Sequence, residues 1–495
     1  GSRMLYDRLV EFAPGSTRIV PGLARSWTMT DDGLSYLFHL REGVRFHATK
    51  TFTPTRPLNA DDVVFSFKRQ LDGIRGQVGS PFEYARSMGL DKLIRDVIRV
   101  DDRTVKFVLY EPTAPFLNML AMDFASIHSA EYAGALLARE RRRQLDRVPV
   151  GSGPFRLLGY NRKKGRIRYG ANAAYWRGAP GLDTIVFRIV PSAAPRFRDL
   201  RRGRCLVAAY PNAADIIDLK LDRRIAVADR IGLNTTYLAF NTQKAPFSDP
   251  RVRRALSLAV DREAIIARIF KGAALPAKTV LPPGMWGYNA DVVDDPYAPA
   301  AARRLLKEAG AEGLTVNLWT TRSAGAANAD PRKMAAMIRK SWEKIGVRTK
   351  IIRLDRRSFM RRSREGGYDA ILLGWESDNG DPDNFMNTLL GCRAVGGTNR
   401  ARWCYRPYEY LIRMARRLPS RIERARLYMA AQYIVKDQAP WLPLAHARRF
   451  DAYRKTVTGF VADPLGRHFF HLLDIRDKDG AGRKKRRLKM RRAQP

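Results

Sequence analysis

Alternating apolar and polar positions mark strands in the first third of the chain. Residues 34–40 alternate in this way and follow a turn-forming Asp-Asp-Gly at 31–33. Residues 104–109 repeat the pattern. Between them, Asn59 is a candidate N-cap for a helix through Phe67, because two aspartates lie in its first turn, where the helix dipole favours them. This part of the chain is therefore expected to be rich in β-structure.

Strands and helices alternate in the second half. Runs of apolar residues predict strands at 183–190, 236–241, 314–319, 347–354 and 368–375. Helices are predicted at 251–260, 300–309 and 331–345, with Pro250 before the first and glycines 310 and 346 after the others. This strand–helix–strand order predicts an α/β fold.

Composition restricts the class of protein. A chain of 495 residues suggests about three domain-sized units. Hydrophobic residues make up 45%, enough for a buried core, and three cysteines exclude a disulfide-dense scaffold. No apolar run reaches the length of about 18 residues that a membrane-spanning helix requires. The sequence predicts a folded protein without transmembrane helices.

The charge is strongly positive: Lys and Arg number 90 and Asp and Glu 49, a formal net charge of +41. Such an excess favours anionic partners. The arginines are spread along the chain, for example at 141–143, 201–204 and 361–362, and no nucleic-acid-binding module is present. An Arg-rich surface is the simpler interpretation, and no nucleic-acid partner is expected. Binding to a polyanion or a membrane surface is kept as an alternative function.

The two ends carry different signals. The start, Gly1-Ser2-Arg3-Met4, has no charged segment followed by an apolar one, so no signal peptide is expected within this sequence. Residues 478–495 include ten positions, 483–492, of which eight are Lys or Arg, and are expected to form a disordered basic tail.

An ordered series of motifs spans nearly the whole chain, from about Leu5 to Ile475. It comprises segments 21–27, 38–47, 58–67, 150–155, 247–255, 283–289 and 374–385. The last reads G-W-E-S-D-N-G-D-P-D-N-F. The series resembles the periplasmic peptide-binding subunits of bacterial ABC importers, solute-binding protein family 5, and most closely their dipeptide-binding members.

The resemblance implies a type II periplasmic-binding-protein fold with an extra subdomain and two lobes joined by a hinge. It places lobe I at residues 1–231 plus 447–477 and lobe II at 232–446. Family members begin with further residues that include a strand and a cysteine, so that strand is expected to be missing from lobe I here.

The same resemblance implies a disulfide between Cys392 and Cys404. Cys205 matches a position whose partner lies in the additional N-terminal segment of the family. Three free thiols in a reducing compartment are the alternative that the sequence alone leaves open.

The resemblance assigns Asp378 to the α-amino group of a bound peptide. A buried ammonium requires a carboxylate partner, and Asp378 follows a strand that would hold it rigidly. Gly374 permits close approach of the peptide backbone, and backbone pairing tolerates many sequences. Trp375 would form an apolar wall beside the ligand, and Ser377 completes this side of the predicted site.

The sequence departs from the family at the residue that would bind the C-terminal carboxylate of the peptide. Dipeptide-binding members carry an arginine that clamps the C-terminal carboxylate, and a gapless alignment puts Gly325 there. Arg322, three residues earlier and next to Thr321, is a candidate bidentate partner. A solvated loop arginine is the equal alternative. Without the clamp, longer peptides, glutathione or haem become more plausible ligands.

No catalytic, metal or cofactor site is expected. Gly151-Ser152-Gly153 is not the G-x-S-x-G nucleophile motif, and the six histidines lack HExxH spacing. The acidic residues at 378, 381 and 383 do not follow the EF-hand pattern. We therefore expect a monomeric periplasmic receptor that delivers short, dipeptide-like ligands to an ABC permease, with a haem or glutathione receptor as the alternative.

Overall fold

The computed structural model describes residues 1–76, 82, 85–86, 88–322 and 329–476. Gly325 and the tail at 478–495 therefore lie outside the described residues. Within the described ranges, every helix is too short or too polar to cross a lipid bilayer.

Antiparallel sheets dominate the first 190 residues, as the alternating pattern predicts. A two-stranded ribbon and a four-stranded sheet of order β3-β4-β6-β5 come first, followed by a three-stranded sheet of order β7-β8-β9. Their strands are β1 Val10–Phe12, β2 Ile19–Pro21, β3 Ala24–Met29, β4 Ser35–Leu40, β5 Ile94–Asp101, β6 Thr104–Leu109, β7 Phe155–Asn161, β8 Arg166–Ala171 and β9 Thr184–Arg188.

The largest sheet is built mainly from the second half of the chain. Its order is β10-β17-β12-β16-β14-β15, and β11 and β13 also pair with β17. The strands are β10 Val207–Ala209, β11 Ile225–Ile231, β12 Asn234–Phe240, β13 Ala274–Pro276, β14 Thr315–Thr321, β15 Arg348–Leu354, β16 Ala370–Glu376 and β17 Trp441–Arg454. A short pair, β18 Val457–Thr458 and β19 Asp474–Ile475, follows.

The first α-helix precedes β1, and the others lie between the strands. They span Ser2–Leu5, Ala60–Gly76, Leu90–Leu93, Phe116–Leu120, Ala130–Ala138, Ala193–Arg201, Ile216–Leu221, Pro250–Leu258, Arg262–Ile265, Pro299–Glu308, Pro331–Glu343, Arg356–Glu365, Asp383–Leu390, Arg406–Arg417 and Arg421–Gln438. The predicted helices at 251–260, 300–309 and 331–345 are each present. Asp249 and Asp330 accept hydrogen bonds from the first turns of two of them, which explains where these helices begin.

Helices cover both faces of the sheet around β12, β14 and β16. On one face, Leu238 and Leu372 pack with the helices that begin at Pro250, Pro299 and Pro331. On the other, Tyr237 and Ile371 pack with the helices after β16. Because successive side chains of a strand point to opposite faces, these strands are apolar throughout. The result is a three-layer α/β arrangement, with β14 parallel to both β15 and β16.

β17 changes its strand partners along its length. Its first half, up to Ala447, pairs with β12 and β13, and from Arg448 onward it pairs with β11. The change of partner therefore occurs within one continuous strand.

Candidate functional site

Asp378 lies in a loop, residues 377–382, that follows the carboxyl end of β16. We call this segment the site loop. Asn384 fixes its first turn, because the Asn384 Oδ1 atom accepts hydrogen bonds from the Asp378 backbone N–H at 3.1 Å and from the Trp375 Nε1 at 3.0 Å. The Asn384 amide nitrogen in turn lies 3.4 Å from Asp378 Oδ2. The half-buried carboxylate and the Trp375 ring are thus oriented by the same side chain.

Two further predicted residues, Ser377 of the site loop and Gly374 of β16, have different roles in the local structure. Ser377 is buried; its backbone N–H donates to the Leu233 carbonyl at 2.7 Å and its Oγ accepts from the Gly380 N–H at 2.9 Å. Gly374 is exposed and lies opposite Thr236 of β12. Ser377 therefore shapes the loop, whereas Gly374 presents backbone to solvent.

A buried ion pair supports the far side of the site loop. Arg424 Nη2 lies 2.7 Å from Asp381 Oδ1, and both side chains are almost fully buried. The Arg424 Nε donates to the Ala415 carbonyl at 2.8 Å, and the guanidinium lies 4.9 Å from the centre of the Trp286 ring. Burial raises the pKa of Asp381, and the charge of Arg424 opposes that shift.

The neighbouring carboxylate of Asp383 also has a cationic partner, Arg416, at 3.3 Å. The aspartates 381 and 383 thus bind protein cations in the structure. Within the described ranges, no group of three or more His, Cys, Asp or Glu side chains is arranged to hold a metal ion.

The site loop contacts the first part of the chain directly. The Asn118 Nδ2 donates to the Asn379 carbonyl at 3.0 Å. Gly380 has φ +69°, and a Cβ atom built on it would lie 2.3 Å from Thr17 Cγ2. Only a glycine fits here, both for its backbone conformation and for the close approach of Thr17.

One edge of β16 is open next to Asp378. β14 pairs with β16 only at Ala370 and Ile371, and along the described chain no further strand pairs with that edge. Unpaired N–H and C=O groups of a strand edge can pair with an extended peptide. The predicted contact of Gly374 with a peptide backbone is compatible with this geometry.

Thr321 and Arg322 lie at the carboxyl end of β14, the strand parallel to β16. The backbone N–H of Arg322 donates to the Leu354 carbonyl at 2.9 Å, and its side chain is exposed. Because β14 and β16 are parallel neighbours, their carboxyl ends lie at the same edge of the sheet, which brings Arg322 and Asp378 to one side of the molecule.

A cavity of about 210 Å³ adjoins the end of β16. Arg449 of β17 pairs with Glu376 of β16 at 2.6 Å inside it, and the guanidinium lies 6.0 Å from the centre of the Tyr210 ring. Phe270 and Phe450 supply apolar walls. The cavity therefore combines an ion pair with aromatic surface.

The structure pairs Cys392 with Cys404, the two cysteines that the resemblance implies, with their Cα atoms 4.7 Å apart. The bridge lies just after the helix Asp383–Leu390, which itself follows the site loop. Cys205 is a free thiol whose Sγ lies 2.8 Å from the Val207 carbonyl.

Sequence reasoning missed several residues that position the site. Asn384 belongs to the motif at 374–385, but no role was predicted for it. Arg424, Asn118 and Thr17 lie far from the motif in the sequence, so no local pattern identifies them. A buried arginine on a helix looks like an exposed one until its partner, here Asp381, is located.

The family model for bacterial extracellular solute-binding proteins, family 5 Middle, matches residues 18–397. The dipeptide-binding protein of Escherichia coli (strain K12) is 47% identical over 95% of this chain and 89% of its own length. Heme-binding protein A of Haemophilus influenzae is 44% identical over 96% and 88%.

Among solved structures, the dipeptide-binding protein of Pseudoalteromonas sp. SM9913 in complex with Met-Leu is similar, with a TM-score of 0.83 and 36% identity. The match covers 95% of this chain and 94% of that one. The expected fold class, an α/β periplasmic-binding-protein fold, is confirmed.

Proposed function

Because this chain belongs to the bacterial extracellular solute-binding proteins of family 5, we propose that it captures short peptides outside the cytoplasm and delivers them to the permease of an ABC importer. The observation that carries this proposal is the Asp378 carboxylate beside the open edge of β16. Together they offer a partner for the peptide ammonium and for its backbone, the two features that all peptides share. The mechanism is binding and release, without a catalytic step.

Each site residue recognises a different part of the peptide. Asp378 receives the α-amino group, Gly374 gives the peptide backbone access to the strand edge, and the Trp375 ring packs beside the first side chain. Arg322, with Thr321 beside it, is the candidate partner of the C-terminal carboxylate, since it lies at the same edge of the sheet. The site is therefore expected to accept peptides with many different side chains, because these contacts use groups common to all peptides.

Two lobes would close around the ligand. We assign residues 1–231 plus 447–477 to lobe I and 232–446 to lobe II, supported by the change of strand partner within β17 between Ala447 and Arg448. The Asn118–Asn379 and Thr17–Gly380 contacts then run from lobe I to the site loop of lobe II. A ligand that touches both lobes would shift the population toward the closed form.

The Cys392–Cys404 disulfide supports an extracytoplasmic location, because disulfides persist in oxidising compartments such as the bacterial periplasm.

A thermal-shift screen of the purified chain tests peptide capture. Di-, tri- and tetrapeptides are compared with their N-acetylated forms. A ligand at a hundredfold excess over its Kd stabilises the native state by about 2.7 kcal/mol, which gives a clear rise in Tm. We expect the free-amine peptides to stabilise the protein, N-acetylation to abolish most of the effect, and Asp378→Ala to lose it. Asp291→Ala, at an exposed aspartate of the same lobe, is the matched control.

Two outcomes would contradict the proposal. If no peptide raises the Tm of the wild-type chain, peptide capture is wrong. If Asp378→Ala responds to peptides as strongly as Asp291→Ala does, the amine is bound elsewhere.

C-terminally amidated peptides test Arg322. A carboxylate held by arginine contributes a charge-assisted hydrogen bond of about 1.5–3 kcal/mol, so amidation is expected to weaken binding about tenfold or more. Arg322→Gln should remove this discrimination, whereas Arg353→Gln, at an exposed position of the adjacent strand β15, should retain it. Equal discrimination in both variants would refute the role of Arg322.

Haem is the second candidate ligand, favoured by the 44% identity to a relative named heme-binding protein A. The same screen includes haem and glutathione. A rise in Tm with haem that is unaffected by Asp378→Ala, together with no response to peptides, would favour this function.

A further inference from the structure

The hairpin of β7 and β8 carries a concentrated positive charge. Residues 155–171 contain no acidic residue and six cations: Arg156, Arg162, Lys163, Lys164, Arg166 and Arg168. All six are exposed. None lies within 4.0 Å of a carboxylate along the described chain. We call these residues the basic hairpin.

The arginine of the neighbouring strand has a carboxylate partner, unlike the cations of the hairpin. Arg188 of the adjacent strand β9 lies 2.7 Å from Asp199, and Arg166 stands directly opposite it in the sheet. The hairpin cations repel one another without such a partner. An anionic partner would remove this repulsion.

Large apolar side chains stand among these cations. Leu158, Tyr160, Val186 and Ile189 are 50%, 49%, 51% and 53% exposed. The four belong to β7, β9 and the residue following β9.

The sheet geometry places Leu158 and Val186 on the face of Arg168, and Tyr160 and Ile189 near the hairpin turn. Val186 is opposite Arg168, so the two share a face. The Ile189 N–H donates to the Gly165 carbonyl at 2.8 Å, which puts Ile189 at the hairpin turn. The Arg162 guanidinium lies 5.6 Å from the centre of the Tyr160 ring. The surface is therefore both basic and apolar.

We propose that the basic hairpin docks this protein on an anionic phospholipid bilayer. Lys and Arg side chains are attracted to the negative surface potential of such a bilayer, and aromatic and aliphatic side chains between them enter the boundary of headgroups and acyl chains. A soluble polyanion would engage the cations but would leave Leu158, Val186 and Ile189 without a favourable environment. Because the surface is both basic and apolar, an anionic lipid bilayer fits it better than a soluble polyanion does.

Docking on the bilayer would change how the receptor reaches the permease. The proposed permease lies in the bilayer, so a receptor that rests on anionic lipid searches for it in two dimensions. The site loop belongs to a different sheet from the hairpin, which leaves ligand capture independent of lipid binding. Docking on lipid therefore does not depend on the identity of the ligand.

Flotation with vesicles tests the proposal on the full chain. Vesicles of phosphatidylcholine and phosphatidylglycerol in equal parts are compared with phosphatidylcholine alone. We expect binding to the anionic vesicles only, and weaker binding as salt is raised. Each basic side chain near an anionic leaflet contributes about fivefold to the affinity, so the triple variant Arg162→Gln, Lys163→Gln, Lys164→Gln is expected to bind roughly 100-fold more weakly.

A matched variant controls for total charge. Arg356→Gln, Arg357→Gln, Arg361→Gln removes three exposed arginines from the helix Arg356–Glu365 and should bind vesicles nearly as well as the wild type. The basic segment at 483–492 is present in every variant, so the differences report on the hairpin. An equal loss in both triple variants would refute a localised surface, as would a lack of wild-type binding to anionic vesicles.

A second variant distinguishes binding to lipid from binding to a soluble polyanion. Leu158→Ser with Val186→Ser keeps every charge and is expected to weaken vesicle binding about tenfold while leaving heparin binding unchanged. If this variant binds vesicles like the wild type, charge alone is responsible and the lipid-specific proposal is wrong. Unfolding temperatures of all variants should match, because the altered side chains are exposed.

Discussion

Three histidines are buried in surroundings that disfavour the charged imidazolium. Burial lowers the pKa of His47, His128 and His446 to about 4. His47 Nε2 lies 2.8 Å from the Gly153 carbonyl, and His446 Nδ1 lies 2.8 Å from that of Asn234. Each imidazole therefore fits its site as the neutral ring.

This predicts acid sensitivity. The unfolded chain has histidine pKa values near 6.5, so between about pH 6.5 and 4 it binds more protons than the folded chain. The stabilising contribution is complete above pH 6.5 and is lost as the pH falls, by up to about 2 kcal/mol per histidine at pH 5. Urea unfolding at pH 7.5 and pH 5 measures the difference.

The variant His446→Gln should reduce that difference, since one of the buried neutral histidines is removed. A pH dependence of His446→Gln equal to that of the wild type would contradict the assignment of His446.

At the scale of elements, the site loop depends on a helix far away in the sequence. Arg424 of the helix Arg421–Gln438 supplies the buried partner of Asp381. The ion pair joins the segment after β16 to the helical layer behind it. The position of Asp378 is thus coupled to how this helix packs.

Arg424→Met leaves the Asp381 carboxylate buried without its cation. We expect a loss of about 3–5 kcal/mol in unfolding free energy and weaker peptide binding, because an uncompensated buried charge is costly. Arg426→Met, at an exposed arginine of the same helix, should change stability little. Urea denaturation and calorimetric titration measure both quantities.

A double-mutant cycle isolates the pair. Asp381→Asn combined with Arg424→Met should recover part of the stability that Arg424→Met loses, since the buried charge is gone. Simple additivity of the two single changes would show that the pair is not coupled.

At the scale of the whole molecule, the close approach of Thr17 and Gly380 joins the two proposed lobes. A side chain at position 380 would collide with Thr17. Any residue other than glycine at this position would also be strained by the left-handed backbone conformation. Gly396 has a similar φ of +78°, but a Cβ there would meet no atom within 4 Å. Comparing substitutions at the two glycines therefore distinguishes the effect of the steric contact from the effect of backbone strain.

We expect Gly380→Ala to weaken peptide binding about tenfold, or about 1.4 kcal/mol, because it opposes the closed arrangement. Gly396→Ala should cost a similar backbone strain without loss of affinity. Thr17→Gly should restore part of the affinity of Gly380→Ala. Calorimetric titration tests affinity, and small-angle scattering with ligand tests closure; equal affinities of the two glycine variants would contradict the role of this contact.

The sequence predicted elements well wherever periodicity is regular. The strands β4, β6, β14, β15 and β16 lie where the patterns place them, to within a few residues. The 14-residue strand β17 was not predicted. Arg448 and Arg449 interrupt its apolar pattern, and their partners, Asp229 and Glu376, are brought in by strands distant in the sequence.

By itself, the sequence determined the family, through a series of motifs in fixed order. It also implied the Cys392–Cys404 pair, which the structure contains, and it predicted the peptide-binding role of Asp378. These features survive in a one-dimensional pattern because short motifs and spacings carry them. Only the tertiary structure decided what holds Asp378 in place. Asn384 reveals its role through hydrogen-bond geometry, and Arg424 and Thr17 through contacts across long sequence separations. Burial and charge pairing depend on which distant segments meet, so no local pattern contains them.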